Sequence, residues 1–200
     1  MNPLFNNEKI ILDLPDALFE YYPNFLDVDV ANNFYKTLLH EIPWQQDNIC
    51  VYGKNYLQPR LTSLFGNEGK SYTYSNITMT PHPWSELLLH LKELVEKQCN
   101  HQFTTLLLNL YRNENDSNGW HADNEKELGQ DPIIASLSLG EERIFQLKHN
   151  TKKEVKQNII LKHGSLILMK EGSQLYYKHQ IPKTKIQKKP RINLIFRTIL

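Results

Sequence analysis

The segment His121-Ala122-Asp123 sets an imidazole and a carboxylate two residues apart. In extended backbone such residues point to the same side. The pair can therefore fill adjacent corners of one metal's coordination shell. A histidine from elsewhere would complete a facial set of two histidines and one carboxylate. That set leaves open positions and is the usual arrangement in non-haem iron(II) oxygenases. His179, closing the run Gln174-Leu175-Tyr176-Tyr177-Lys178-His179, is the candidate third ligand. His82, His90, His101, His149 and His163 are rivals, and His163, in the turn Lys162-His163-Gly164, is the strongest of them. An HxD pair also recurs by chance in loops, so its surroundings decide.

The segment Arg191-Ile192-Asn193-Leu194-Ile195-Phe196-Arg197 alternates. As a strand it puts Arg191, Asn193, Ile195 and Arg197 on one face and three large apolar residues on the other. Two arginines on such a face are costly unless an anion meets them. A small dicarboxylate would meet them through charge-assisted, bidentate contacts; the plain alternative is a pair of surface arginines on an edge strand. Asn109 and Tyr111, in Leu106-Leu107-Leu108-Asn109-Leu110-Tyr111, share a face of another apolar run just before HxD. They can hydrogen-bond the same dicarboxylate or simply each other.

These residues need a scaffold. Val30, Phe34, Leu38 and Ile42 recur every four residues, which predicts a helix from Asp29 to Ile42, closed by Pro43. Leu87, Leu88, Leu91, Leu94 and Val95 predict a second helix from Trp84 to Lys97, with Pro83 at its start. From Phe103 onward, short apolar runs alternate with turn residues and read as strands. The C-terminal half is thus expected to be all-β, a sandwich or jelly roll, with the N-terminal helices covering one sheet.

Composition sets outer limits. The 200 residues suit one domain, and a formal net charge of +1 gives no global affinity for polyanions. Local lysine groups remain available: Lys148, Lys152, Lys153 and Lys156 in one stretch, and Lys183, Lys185, Lys188 and Lys189 in another. Either can hold phosphates or be a solvated loop. Cys50 and Cys99 form no disulfide framework and no zinc motif. With no leader-like pattern and no long apolar run, an intracellular, non-membrane protein is expected: cytoplasmic in a bacterium, nuclear in a eukaryote.

Taken together, Asn109-Leu110-Tyr111, His121-Ala122-Asp123, His179 and Arg191-x-Asn193-x-x-x-Arg197 resemble the AlkB family of nucleic-acid dealkylases. The resemblance runs from about Val51 to Leu200. Pro59 to Gly66, including Arg60, resembles part of that family's substrate lid, and Tyr72-Thr73-Tyr74-Ser75 its aromatic base pocket. The extended form from His121 to Leu128 and the tip Val51-Tyr52-Gly53 resemble the branch acting on double-stranded DNA. Two positions depart from the pattern: Ile195 stands where a small hydroxyl residue is frequent, and Asn124 where an acid is frequent.

The resemblance implies a double-stranded β-helix, mainly β with flanking helices. A lid and finger would lie over residues about 45–80 and a catalytic core over about 103–200. It implies iron(II) on His121, Asp123 and His179. It implies 2-oxoglutarate held by Arg191, Asn109 and Tyr111, with Asn193 and Arg197 alongside, plus oxygen and supportive ascorbate. The implied activity is oxidative removal of N-methyl groups from bases such as N1-methyladenine and N3-methylcytosine, releasing formaldehyde. Val51, Tyr52, Gly53, Arg60, Tyr72, Tyr74, Asn124 and Glu125 would meet the DNA. The DNA is expected to be double-stranded, with single strands tolerated, and the enzyme to be a monomer. The alternatives are the same chemistry on RNA or protein, or a non-catalytic nucleic-acid-binding jelly roll.

Overall fold

The computed structural model describes residues 8–51, 54–69, 72–74 and 77–200; for 50–51, 54–55, 72–74 and 77–79 it describes the backbone alone. The chain begins β1 (Ile10–Ile11), β2 (Leu18–Tyr22), α1 (Val28–Glu41), β3 (Asn48–Val51), β4 (Lys54–Leu57), β5 (Leu61–Gly66), β6 (Tyr72–Tyr74), β7 (Ile77–Met79) and α2 (Glu86–Cys99). It continues β8 (Thr105–Tyr111), β9 (Asn118–His121), β10 (Ile134–Gly140), β11 (Arg143–His149), β12 (Lys156–Leu161), β13 (Ser165–Lys170), α3 (Ser173–Tyr176), β14 (Tyr177–Ile181) and β15 (Arg191–Arg197).

A seven-stranded sheet has the order β1-β2-β13-β10-β15-β8-β5, and a four-stranded sheet the order β12-β11-β14-β9. The two sheets form the jelly roll. Alternation along the central strands separates two cores. Leu106, Leu108, Leu110, Ile192, Leu194 and Phe196 pack with Phe34, Leu38, Leu88, Leu91 and Val95 of the helices. Leu107, Tyr111 and Ile195 turn the other way, toward Phe145, Leu147 and Ile181 of the minor sheet. The major sheet is thus covered on both faces, which is why its strands read as nearly continuous apolar runs.

Both helices form where apolar spacing places them, with ends set by local chemistry. Asp27 caps α1 by accepting from the Asp29 N–H at 2.9 Å. Ser85 caps α2 by accepting from the Leu88 N–H at 3.3 Å, so this helix starts at Glu86, two residues later than expected. It ends at Asn100 in the left-handed region. No helix of the described residues is long and apolar enough to cross a membrane.

Two expectations need correction. The core sheet does not begin near residue 103, because β1, β2 and β5 join it from earlier in the chain. The segment from Pro59 to Gly66 therefore supplies a buried strand of the major sheet: β5 pairs with β8, Thr62 opposite Asn109. The run before His179 is not all strand either. Ser173–Tyr176 forms a helical turn entered through Gly172 at φ +76°, and β14 starts only at Tyr177.

Gly140 closes β10 opposite Arg191. Its φ is +92°, and a Cβ there would lie 2.5 Å from the Pro190 carbonyl oxygen and 2.6 Å from the Tyr35 ring. Gly140→Ala adds left-handed strain of about 1–3 kcal/mol to an overpacking cost of about 1–3 kcal/mol. Thermal unfolding should show a midpoint lower by roughly 4–24 °C. An unchanged midpoint would mean the turn relaxes freely.

Candidate metal and cosubstrate site

His121 closes β9 and His179 lies in β14; the two are direct cross-strand partners, next to a register irregularity in β9. Such irregularities re-aim side chains near active sites. The ring centroids are 4.2 Å apart. Asp123, just past β9, is fully buried. One ligand atom from each of His121, Asp123 and His179 lies within 4.8 Å of the others. The rivals are engaged elsewhere. His163 Nδ1 accepts from the Gly140 N–H at 2.8 Å. His149 bonds Asp16, His101 bonds Thr198, and His82 and His90 pack against Phe65 and Phe34.

Protonation suits a cation. His121 Nδ1 is 2.7 Å from the Gly119 carbonyl oxygen, so Nδ1 carries the proton and Nε2 keeps its lone pair, with the Asn118 amide nitrogen 3.2 Å away. Burial is the main cause that lowers the His121 pKa. His179 is pushed down to about 3, first by burial, then by His121, against the pull of Asp123. Burial raises the Asp123 pKa, but the Arg197 guanidinium opposes it, and the carboxyl is held below its ordinary range. Two neutral imidazoles and one ionised carboxylate are the forms a metal requires.

Asp123 is also oriented. Its Oδ1 accepts from Arg197 Nη2 at 2.6 Å, and its backbone N–H donates to Gln174 Oε1 at 2.8 Å. Its Oδ2 is buried, has no hydrogen-bond partner among the described residues, and lies 3.6 Å from His179 Nε2. A buried carboxylate oxygen left without a donor is costly. A divalent cation among these three residues removes that cost, so the residues fit iron(II).

A second orphan lies alongside. Arg191 is fully buried, and its Nη2 donates to Ser138 Oγ at 2.9 Å. Its Nε and Nη1 have no hydrogen-bond partner among the described residues. Burial lowers its pKa to about 10. The guanidinium lies 5.2 Å from the Tyr111 ring centroid, and Arg191 and Tyr111 are register partners. The Arg143 guanidinium approaches the same ring at 5.5 Å. Asn109 Oδ1 accepts from Arg60 Nε at 2.7 Å, and its Nδ2 has no hydrogen-bond partner among the described residues. A buried cation with two nitrogens lacking partners among the described residues, and a nearby amide in the same state, fit the distal carboxylate of 2-oxoglutarate.

The remaining candidates divide. Arg197 orders Asp123. Asn193 lines the cavity but donates its amide to Ser136 Oγ and the Leu137 carbonyl, so it is a wall rather than a free donor. Ile195, also in that wall, is 8% exposed. Arg60, expected at the DNA, is instead buried; Asn109 and the Ser117 carbonyl hold it because it enters β5 beside β8. Asn124 is exposed and lines a different cleft with Asp131, Glu171 and Tyr176. Glu125 is half-buried and precedes the short turn Lys126–Leu128. Tyr72 and Tyr74 lie in the β6–β7 hairpin and Val51 ends β3, but their side chains, with Tyr52 and Gly53 entirely, are outside the described residues.

Gln174 and Ser138 were missed. Ser138 carried a signal, since Ser136 and Ser138 alternate with leucines along β10. Gln174 carried none, because it reaches Asp123 only through the helical turn.

The model of the 2OG-Fe(II) oxygenase superfamily matches residues 19–197. Mouse "DNA oxidative demethylase ALKBH2" is 34% identical over 180 residues, covering 85% of this chain and 75% of that protein. The chain belongs to the AlkB family of this superfamily. Bovine "Alpha-ketoglutarate-dependent dioxygenase alkB homolog 3" is 41% identical, covering 88% of the chain, which spans 64% of that relative's length. A solved structure of OsALKBH1 shares the fold at TM-score 0.63 and 15% identity, over 96% of this chain and all of that one.

Proposed function

We propose that this AlkB-family protein is an iron(II)- and 2-oxoglutarate-dependent dioxygenase that demethylates damaged bases in DNA. The observation that carries the reading is a pair of unmet needs about one cavity: the orphaned Asp123 Oδ2 in its lining, and the two unpartnered nitrogens of Arg191 behind Tyr111, which lines it too. Relatives named as DNA oxidative demethylases support the substrate.

His121, Asp123 and His179 would hold iron, which with 2-oxoglutarate and oxygen supplies the oxidant for the alkyl carbon. Arg191 binds the distal carboxylate, Ser138 fixes the guanidinium, and Asn109 adds a donor. Arg197 and Gln174 keep Asp123 in one orientation. Phe145, Met169 and Ile195 line the cavity and keep water from it. A hydroxylated N-methyl group collapses to formaldehyde and the free base nitrogen.

The base must leave the stack to reach this pocket, and a lesion that has lost pairing costs least to extrude. In this reading N1-methyladenine and N3-methylcytosine are the substrates, Tyr72 and Tyr74 stack on the base, and Glu125 meets its exocyclic amine. Tyr52 fills the gap in duplex DNA. Mass spectrometry of an N1-methyladenine oligonucleotide, after incubation with iron(II), ascorbate and 2-oxoglutarate, should show loss of one methyl group. An unchanged mass alongside succinate formation would point to another substrate. Stacking on bases is worth about 1–3 kcal/mol, so Tyr52→Ala should slow duplex repair by roughly tenfold to a hundredfold. Single-strand repair should barely change, and equal losses on both substrates would remove the finger role.

A further inference from the structure

The outer face of the minor sheet breaks a rule of sheet stability. Lys148 in β11 is the direct register partner of Lys156 in β12 and of Lys178 in β14. Three lysines therefore stand side by side in one row across three strands. Like charges directly opposite one another destabilise a sheet. None of the four strands of this sheet contains an aspartate or glutamate to offset them. The next row carries amides, with Asn158, Gln146 and Gln180 in register and Gln180 donating to Gln146 at 2.6 Å. A local conflict of this kind is expected at functional or strained sites.

The row ends at an aromatic ring. Lys148 Nζ lies 4.2 Å from the Trp120 ring centroid, a contact that holds the ammonium on the outer face. Trp120 is still 37% exposed. It immediately precedes His121, whose side chain turns inward to the candidate iron site. The basic row and the ring thus lie on the reverse side of the strand that carries a metal ligand. Neighbouring strands are about 4.8 Å apart, so the outer lysines of the row are separated by about 10 Å.

We propose that this face binds the lesion-bearing DNA strand beside the nucleotide being repaired. Lys148, Lys156 and Lys178 take backbone phosphates, and Trp120 takes a base or sugar on its exposed edge. The partner follows from charge: a purely basic row suits a polyanion, and an exposed indole beside it suits a base. This rests on the nucleic-acid reading above. It also separates the two lysine groups named from sequence. Lys148 and Lys156 belong to the row, whereas Lys152 is paired with Asp16 and Lys188 with Glu141. Lys178, from a third segment, completes it.

The test measures binding of a labelled, unmodified single-stranded oligonucleotide across a salt series by fluorescence anisotropy. Each lost phosphate contact on a single strand reduces the slope of log affinity against log salt by about 0.7. The triple variant Lys148→Gln, Lys156→Gln, Lys178→Gln should therefore lose about 2 from that slope. Its unfolding midpoint should be no lower than wild type, because repulsion has been removed. Oligonucleotide binding should quench tryptophan fluorescence in wild type and not in Trp120→Phe. Turnover of free methylated nucleoside should be unchanged in both variants. The proposal is overturned if the slope stays at the wild-type value while Lys183→Gln, Lys185→Gln, Lys189→Gln takes the loss, or if quenching survives in Trp120→Phe. If wild type binds no oligonucleotide at low salt, the nucleic-acid reading itself fails.

Discussion

Arg191→Ala should raise the 2-oxoglutarate concentration needed for half-maximal turnover by roughly two to three orders of magnitude. Breaking a buried charge pair costs about 3–5 kcal/mol, and about 1.4 kcal/mol corresponds to tenfold in affinity. The loss should fall on the 2-oxoglutarate KM far more than on kcat at saturation. Without ligand, the buried guanidinium is incompletely satisfied: two of its nitrogens lack partners among the described residues. Arg191→Met should therefore leave the ligand-free unfolding midpoint unchanged or raise it. Added 2-oxoglutarate should stabilise wild type by mass action and leave Arg191→Met unmoved. If the variant instead loses stability without ligand and keeps its 2-oxoglutarate KM, Arg191 serves the fold alone.

Asp123→Asn should abolish turnover and remove tight iron(II) binding, read by titrating metal into metal-free protein. The substitution keeps shape and deletes the charge that Arg197 meets at 2.6 Å. Leaving one member of a buried pair without its counter-charge costs about 3–5 kcal/mol, so the metal-free variant should also unfold at lower temperature. Asp123→Asn combined with Arg197→Met should recover much of that stability and none of the metal binding. His121→Ala, at a half-buried position, should lose metal with little change in midpoint. Metal binding that survives in Asp123→Asn would remove the carboxylate from the ligand set.

Much of the site was legible because its chemistry is written in short segments. HxD needs only a two-residue spacing. The inward set Arg191, Asn193, Ile195 and Arg197 follows from alternation along β15, and the structure places Ile192, Leu194 and Phe196 in the opposite core. The helices were legible from four-residue spacing, and their ends less so, because caps such as Ser85 depend on one hydrogen bond. β2 and β5 are not legible as sheet members from local pattern. Leu18–Tyr22 and Leu61–Gly66 owe their places to pairing with β13 and β8, far along the chain.

Residue type and local period by themselves marked the HxD segment, the Arg191–Arg197 segment, a β-rich C-terminal half and the two covering helices, because these are properties of neighbours in the chain. Register across strands decided the rest. It set His179, not His163, opposite His121, and tied Arg60 to Asn109 instead of leaving it at the surface. It lined up Lys156, Lys148 and Lys178 from three separate strands. No single segment encodes such a juxtaposition, since pairing is chosen by what the whole sheet buries and a one-residue slip would turn every side chain to the other face.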